Sequence, residues 1–418
     1  MAAFEGHELK NQMRPLVKTI IAIPLATFYL LLSIAPLGWI VPARADENVK
    51  SGAPYSAGPT NTARPSLGNV MNPNISLDGL FSASQFNRAD PVTFQTGHDP
   101  KQNGFTLQQA EIAFGSAVDP YFKADAFLVL SPEGIEVEEA YATTQALPAG
   151  FQIKAGQFFT DIGRNNPTHP HSWDFIDKPL VLGRFFGGDG LRNPGAEASW
   201  LTPLPFFSEL LVSVQNSTGG TAVSFRPDST PPTKSFSDAV SMLRTNNFFT
   251  LTDDLGLNLG ASYLTGANSE LTNDRTQILA ADLYLKYRAD SLSYFSLQVE
   301  TLERIYGTSS TSLNDWGWYA QAVYRLPGAW QCWFIGMRYD WVGAKGAPII
   351  TASRAGFTGD PDTSNRWRVS PVVSFYPTEF SKLRLQYNFD RLENLDAAQQ
   401  VVSLQFEFLI GAHGAHRF

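Results

Sequence analysis

Residues 382–390 read KLRLQYNFD, and the spacing within this stretch decides the fold. A β-strand sends successive side chains to opposite faces. Lys382, Arg384, Gln386, Asn388 and Asp390 therefore share one face, and Leu383, Leu385, Tyr387 and Phe389 share the other. One side wants water and the other an apolar medium. Residues 331–342 repeat the pattern, with Trp333, Ile335, Met337, Tyr339 and Trp341 opposite Arg338 and Asp340. Residues 399–410 repeat it again, with Val402, Leu404, Phe406, Phe408 and Ile410 opposite Ser403, Gln405 and Glu407.

Working outward, period-2 segments recur from residue 74 with turn residues between them. Sixteen strands are expected: 75–87, 105–118, 121–130, 136–144, 151–157, 196–201, 207–217, 247–251, 256–266, 277–288, 294–304, 315–324, 331–342, 366–376, 382–390 and 399–410. The links between them sort by parity. Even-to-odd links are short, such as Asp119-Pro120, 145–150, 202–206 and 252–255. Odd-to-even links are mostly long, such as 88–104, 158–195, 218–246 and 343–365. Short turns on one side and long loops on the other are the pattern of a transmembrane antiparallel β-barrel. A soluble sandwich gives no reason for it. The expected barrel domain is 74–418, with both ends on the short-turn side. Tyr121, Tyr294, Tyr324, Trp330 and Tyr376 sit at strand ends, where interfacial aromatic girdles belong.

Composition agrees. Charged residues are 17% and aromatics 13%, while mean hydropathy is only −0.14. That combination fits apolar surface hidden by alternation and excludes a bundle of transmembrane helices. A single cysteine, Cys332, excludes intramolecular disulfides and thiolate clusters. Residues 19–41 form the one long apolar run, preceded by Arg14 and Lys18 and ended by Ala43-Arg44-Ala45. This reads as a signal peptide over 1–45, against an uncleaved anchor as the alternative. Residues 46–73 read as a flexible periplasmic leader. Cleavage leaves a chain more acidic than the −8 of the full sequence, which argues against nucleic acid as a partner. The expected location is the bacterial outer membrane, with its lipids as surroundings. No cofactor is expected.

The third long link, 158–195, reads FFTDIGRNNPTHPHSWDFIDKPLVLGRFFGGDGLRNPG. It is rich in charge and aromatics, and loops of this length in compact proteins are usually functional. It is expected to fold into the lumen as a constriction carrying Arg164, His169, His171, Asp174, Asp177, Lys178, Arg184, Asp189 and Arg192. Strand phase points a basic wall inward: Lys286, Arg288, Arg304, Arg325, Arg338, Arg366, Arg368, Lys382 and Arg384. Asp282, Glu300, Asp340, Asp390 and Glu407 stand among them, and the first strands add Asp78, Glu111, Asp125, Glu136 and Glu138. Such a wall suggests mild anion preference. The alternative is that these charges pair with one another. His169-Pro170-His171 invites a zinc reading completed by Asp174 and Asp177, and His413 with His416 a second one. Loop packing is the plainer reading of both.

The stretches 162–180, 187–205 and 406–418 resemble the phosphate-selective porin O/P-like superfamily of Gram-negative outer-membrane porins. That resemblance implies a 16-stranded barrel, an inward third loop, often a homotrimer, and passive diffusion of small hydrophilic solutes. Separately, the sequence ends in Phe418, and an aromatic residue after an alternating strand looks like the signal read by the outer-membrane assembly machinery. Phosphate selectivity in that superfamily depends on a lysine cluster. The loop holds only Lys178, so phosphate does not carry over. A structural or adhesion barrel, or a zinc-linked receptor without a channel, is the competing reading. No nucleophile motif accompanies the external histidines, so an enzyme is not expected.

Overall fold

The computed structural model describes residues 73–89, 98–131, 134–226, 235–269, 274–290, 292–308, 312–345, 365–393 and 396–411. The expected signal peptide, the leader before Pro73, His413, His416 and Phe418 lie outside the described residues.

The sixteen strands are β1 (Asn74–Phe86), β2 (Gly104–Ala117), β3 (Phe122–Ser131), β4 (Gly134–Thr144), β5 (Phe151–Phe159), β6 (Arg192–Leu201), β7 (Phe207–Gln215) and β8 (Val240–Thr252), followed by β9 (Leu255–Ala267), β10 (Arg275–Arg288), β11 (Tyr294–Gly307), β12 (Ser312–Arg325), β13 (Trp333–Lys345), β14 (Arg366–Thr378), β15 (Ser381–Leu392) and β16 (Gln399–Gly411). Each pairs antiparallel with its sequence neighbours, and β1 pairs with β16 to close the ring. Closure leaves no unpaired edge, which is the condition for a sheet to cross hydrocarbon. The parity of the links holds. The expected sixth and eighth strands were too short: β6 begins at Arg192 and β8 at Val240.

In the stretch that decided the fold, Lys382, Arg384, Gln386, Asn388 and Asp390 are at most 7% exposed, whereas Leu383 is 36% exposed. The outer surface carries Ile335, Met337, Val402, Leu404, Phe406 and Ile410, as the alternation requires. Two of the girdle tyrosines are corrected. Tyr294 and Tyr376 share the phase of inward Ser296 and Ser374 and lie under Lys286 and Lys382, so they line the lumen. Tyr121 and Trp330 are exposed at the short-turn end.

Register shifts at the β8–β9 and β14–β15 turns fall at strand ends, whereas two bulges break the alternation within strands. Opposite β1, register jumps from Gln109 to Leu107, leaving Gln108 as the extra residue. Opposite β3, it jumps from Glu139 to Val137, leaving Glu138 extra. A bulge re-aims side chains. Here it turns two consecutive residues inward each time: Gln108 with Gln109, and Glu138 with Glu139, all buried.

Candidate functional site

The third loop, residues 160–191, lies inside the barrel and is anchored at successive points around the ring. Near its start, the backbone N–H groups of Arg164 and Asn165 donate to Glu300 Oε1 on β11, at 3.1 and 2.8 Å. Gly163 permits this approach. Its φ is +62°, and a Cβ there would stand 2.3 Å from Glu300 Oε2. The loop next reaches β2 and β4, eight steps around the sixteen-strand ring between β11 and β3. His169 Nδ1 lies 2.9 Å from Glu111 Oε2 and 2.9 Å from Glu138 Oε2, and its Nε2 lies 2.9 Å from Glu139 Oε2. Burial lowers the pKa of this imidazole, but Glu111 and Glu138 outweigh burial and hold it well above its usual value.

The loop then meets β13–β15. The Arg384 guanidinium donates to the Trp173 and Phe175 carbonyls, and Lys382 Nζ donates to the His171 carbonyl at 2.8 Å. Asp177 is the densest anchor. Its carboxylate accepts from Arg338 and Arg368, each at 2.6 Å, and from Gln386 and Asn388, each at 2.7 Å. Burial raises the Asp177 pKa, but the two guanidinium groups and the hydrogen bonds pull it down to about 2. The cleft beside this anchor, lined by Ile176, Asp177, Arg368 and Asn388, measures about 30 Å³.

Beyond Asp177 comes α1 (Leu180–Phe186), entered through Pro179 and ended by Gly187 at φ +75°. Asp340 Oδ1 accepts the Leu180 N–H at 3.0 Å, placing a carboxylate at the positive end of the helix. Seven residues make too short a helix to stand alone in water. Packing holds it: Leu180, Val181, Leu182, Phe185 and Phe186 are at most 1% exposed. They join one cluster with Leu211, Met242, Leu264, Ile278, Leu302 and Val342, which the strands aim inward. Ala222 and Phe225 of the loop between β7 and β8 complete it. The lumen therefore has an apolar seat on one side, where alternation alone predicted polar residues.

Several sequence-predicted residues take other roles. Arg192 belongs to β6, where it donates to Glu136 and to the Glu138 carbonyl. Arg184 is buried in α1, at 1% exposure. Lys178 is buried with its Nζ over the Trp173 ring, and its N–H donates to Asp99. Asp189 sits near Lys178 and His98. Asp174 and Asp177 do not complete a site with the histidine pair. Glu111, Glu138 and Glu139 face His169 instead, and His171 Nδ1 stays 3.8 Å from Glu111.

Much of the basic wall is paired. Arg304 binds Asp315, Arg366 and Arg368 bind Asp390, Arg338 binds Asp340, and Lys382 binds Glu407. A different group gathers at the short-turn mouth. Arg164 lies 3.8 Å over Tyr284, Lys286 lies 4.4 Å over Tyr294, and Arg325 lies 5.3 Å over Phe334. Arg288 is exposed at the same rim. Sequence reasoning missed the lumen-facing aromatics of this collar and the inward apolar seat. Both sit at inward phase, so phase was the available signal.

Comparison with known proteins follows the same line. No family model matches. A protein of Aquifex aeolicus (strain VF5), described only as uncharacterized, is 33% identical over 347 residues, covering 76% of this chain and 71% of its own. The chain belongs to the family of that protein. Among solved structures, the outer membrane channel DcaP of Acinetobacter baumannii superposes with a TM-score of 0.53 at 11% identity, covering 81% of this chain and 98% of its own. The anion-selective porin of Comamonas acidovorans gives 0.52 at 11%, covering 81% and 100%. OprB of Pseudomonas putida gives 0.52 at 12%, covering 81% and 94%. At such identities the likeness establishes the fold, which is the transmembrane barrel of bacterial outer-membrane porins.

Proposed function

We propose that this protein is an outer-membrane porin through which small hydrophilic solutes diffuse passively, with the third loop setting the width of the passage. One observation carries the reading. The loop crosses the lumen of a closed barrel and is tied to β11, to β2 and β4, and to β13–β15. A barrel that served only as a surface scaffold gains nothing from an internal strap of this kind. Phosphate specificity is no part of the reading, because the loop's one lysine, Lys178, is buried. The finer reading is mild anion preference, supported by the collar of Arg164, Lys286, Arg288 and Arg325 at the short-turn mouth. A homotrimer follows from the superfamily resemblance alone.

Planar-bilayer recording tests the channel. Folded wild-type barrels are expected to give stable stepwise openings, and barrels with the third loop shortened are expected to give larger ones. Folded barrels that never conduct support a structural barrel and overturn the proposal.

A further inference from the structure

We propose that Glu111, Glu138 and His169 form a binding site for a divalent first-row transition-metal cation, clasping the third loop to the wall. The geometry around one imidazole carries it. His169 Nε2 faces Glu139 Oε2 at 2.9 Å. A carboxylate only accepts, so Nε2 carries a hydrogen. Nδ1 faces two further carboxylate oxygens, Glu111 Oε2 and Glu138 Oε2, each at 2.9 Å. One ring hydrogen serves one of them. Glu111 takes it, and Glu138 Oε2 accepts no hydrogen bond although Glu138 is 1% exposed.

One nitrogen and two oxygens thus lie within 4.8 Å of one another. A divalent cation there replaces the Nδ1 proton and satisfies all three donors. Metal–ligand bonds of ~2.1 Å place neighbouring donors ~3.4 Å apart at the tetrahedral angles zinc prefers and ~3.0 Å apart at octahedral angles, so the 2.9 Å spacings need only a few tenths of an ångström of opening to admit the ion. The mixed imidazole and carboxylate set suits zinc or manganese better than calcium or magnesium, which prefer all-oxygen shells. The arrangement has its supporting partner as well. Glu139 on Nε2 fixes the tautomer and ring orientation, as carboxylates behind metal-bound histidines do. The β4 bulge supplies Glu138 and Glu139 together, so the site is built into the strand itself.

The clasp joins β2, β4 and the third loop. It lies on a different part of the wall from the Asp177 anchor, so binding pins the loop at a second place. The inference does not depend on what passes through the barrel, and its failure leaves the channel reading untouched.

Isothermal titration of zinc into full-length, chelator-stripped barrel in detergent tests it, with atomic-emission stoichiometry and magnesium as comparator. Heat-modifiable gel mobility confirms that each variant is folded. One zinc per chain is expected, with magnesium binding far weaker. E138Q and H169A are expected to weaken zinc binding at least a hundredfold. E139Q, which leaves the three ligands in place and takes the charge from the partner behind His169, is expected to weaken it ten- to a hundredfold. H413A/H416A is expected to bind as wild type. The proposal is overturned if folded wild type binds no zinc. It is equally overturned if E138Q and H169A bind as wild type, or if only H413A/H416A loses binding.

Discussion

Asp177 shows how one side chain sets the position of a segment. It compensates Arg338 and Arg368 together and takes amide hydrogens from Gln386 and Asn388. Removing one partner from a buried ion pair typically costs ~3–5 kcal/mol, because the remaining charges lose compensation. The depressed pKa fixes a pH dependence. A free aspartate titrates near 3.9, whereas the docked Asp177 titrates at about 2. The docked loop binds protons less readily, so its stabilisation is full above pH ~4 and is lost as pH falls through about 2. Pepsin, active in that window, reads the outcome. Cleavage within 160–191 of an otherwise folded wild-type barrel is expected to rise steeply from pH 4 to pH 2. D177N is expected to be cleaved at a high rate throughout. A wild-type rate that stays flat across the window contradicts the anchor.

At the scale of elements, α1 is a helix that exists because of what it sits on. Phe185 is fully buried under Arg304, whose guanidinium lies 4.6 Å from the ring. Phe185→Ala leaves a cavity, a change that costs ~3–5 kcal/mol in well-packed interiors. The barrel hydrogen bonds do not run through Phe185, so the cost falls on loop docking. Neutral-pH proteolysis of the loop tracks its open population. F185A is expected to raise it on the order of a hundredfold or more while barrel gel mobility stays unchanged. An unchanged cleavage rate means the seat does not hold the loop.

The strands were legible because alternation is local. In residues 382–390 every second side chain needs water, and no tertiary partner alters that. Link parity was legible for the same reason, since it depends only on lengths. The bulges at Gln108 and Glu138 were not read, although the doublets Gln108-Gln109 and Glu138-Glu139 interrupt otherwise alternating strands. An extra polar residue is as compatible with a shifted strand end as with a bulge, and only pairing decides between them. The apolar seat has a similar cause. Ile278 and Leu302 stand at inward phase, but their partner, α1, is more than ninety residues away in sequence, and no local pattern announces that contact. Strand phase put Arg338 and Arg368 at the lumen and the length of the third link put Asp177 there, yet neither signal names a partner.

At the scale of the whole molecule, the question is which charges a passing solute meets. Arg304, Arg338, Arg366, Arg368 and Lys382 are each tied to a carboxylate, and a neutralised pair presents little net field. Arg164, Lys286 and Arg325 lie over aromatic rings at the short-turn mouth instead. A ring face steadies a cation. Exposed Arg288 adds a fourth positive charge at the rim. Asp174 stands near Arg164 and Lys286, and Asp290 near Arg325, so the four cations leave a surplus of positive charge, and a mouth walled by low-dielectric material with such a surplus raises the local concentration of anions. Selectivity should therefore follow the collar and not the wall. In a salt gradient, wild-type channels are expected to give a reversal potential on the anion side. Lys286→Glu with Arg288→Glu changes the mouth by four charges, leaves the loop anchors in place, and is expected to carry that potential to the cation side. Raising the salt should shrink the difference between the two proteins, since exposed charges are screened beyond ~8 Å at physiological ionic strength. A cation-selective wild type, or a double variant with the wild-type potential, excludes the collar as the selecting element.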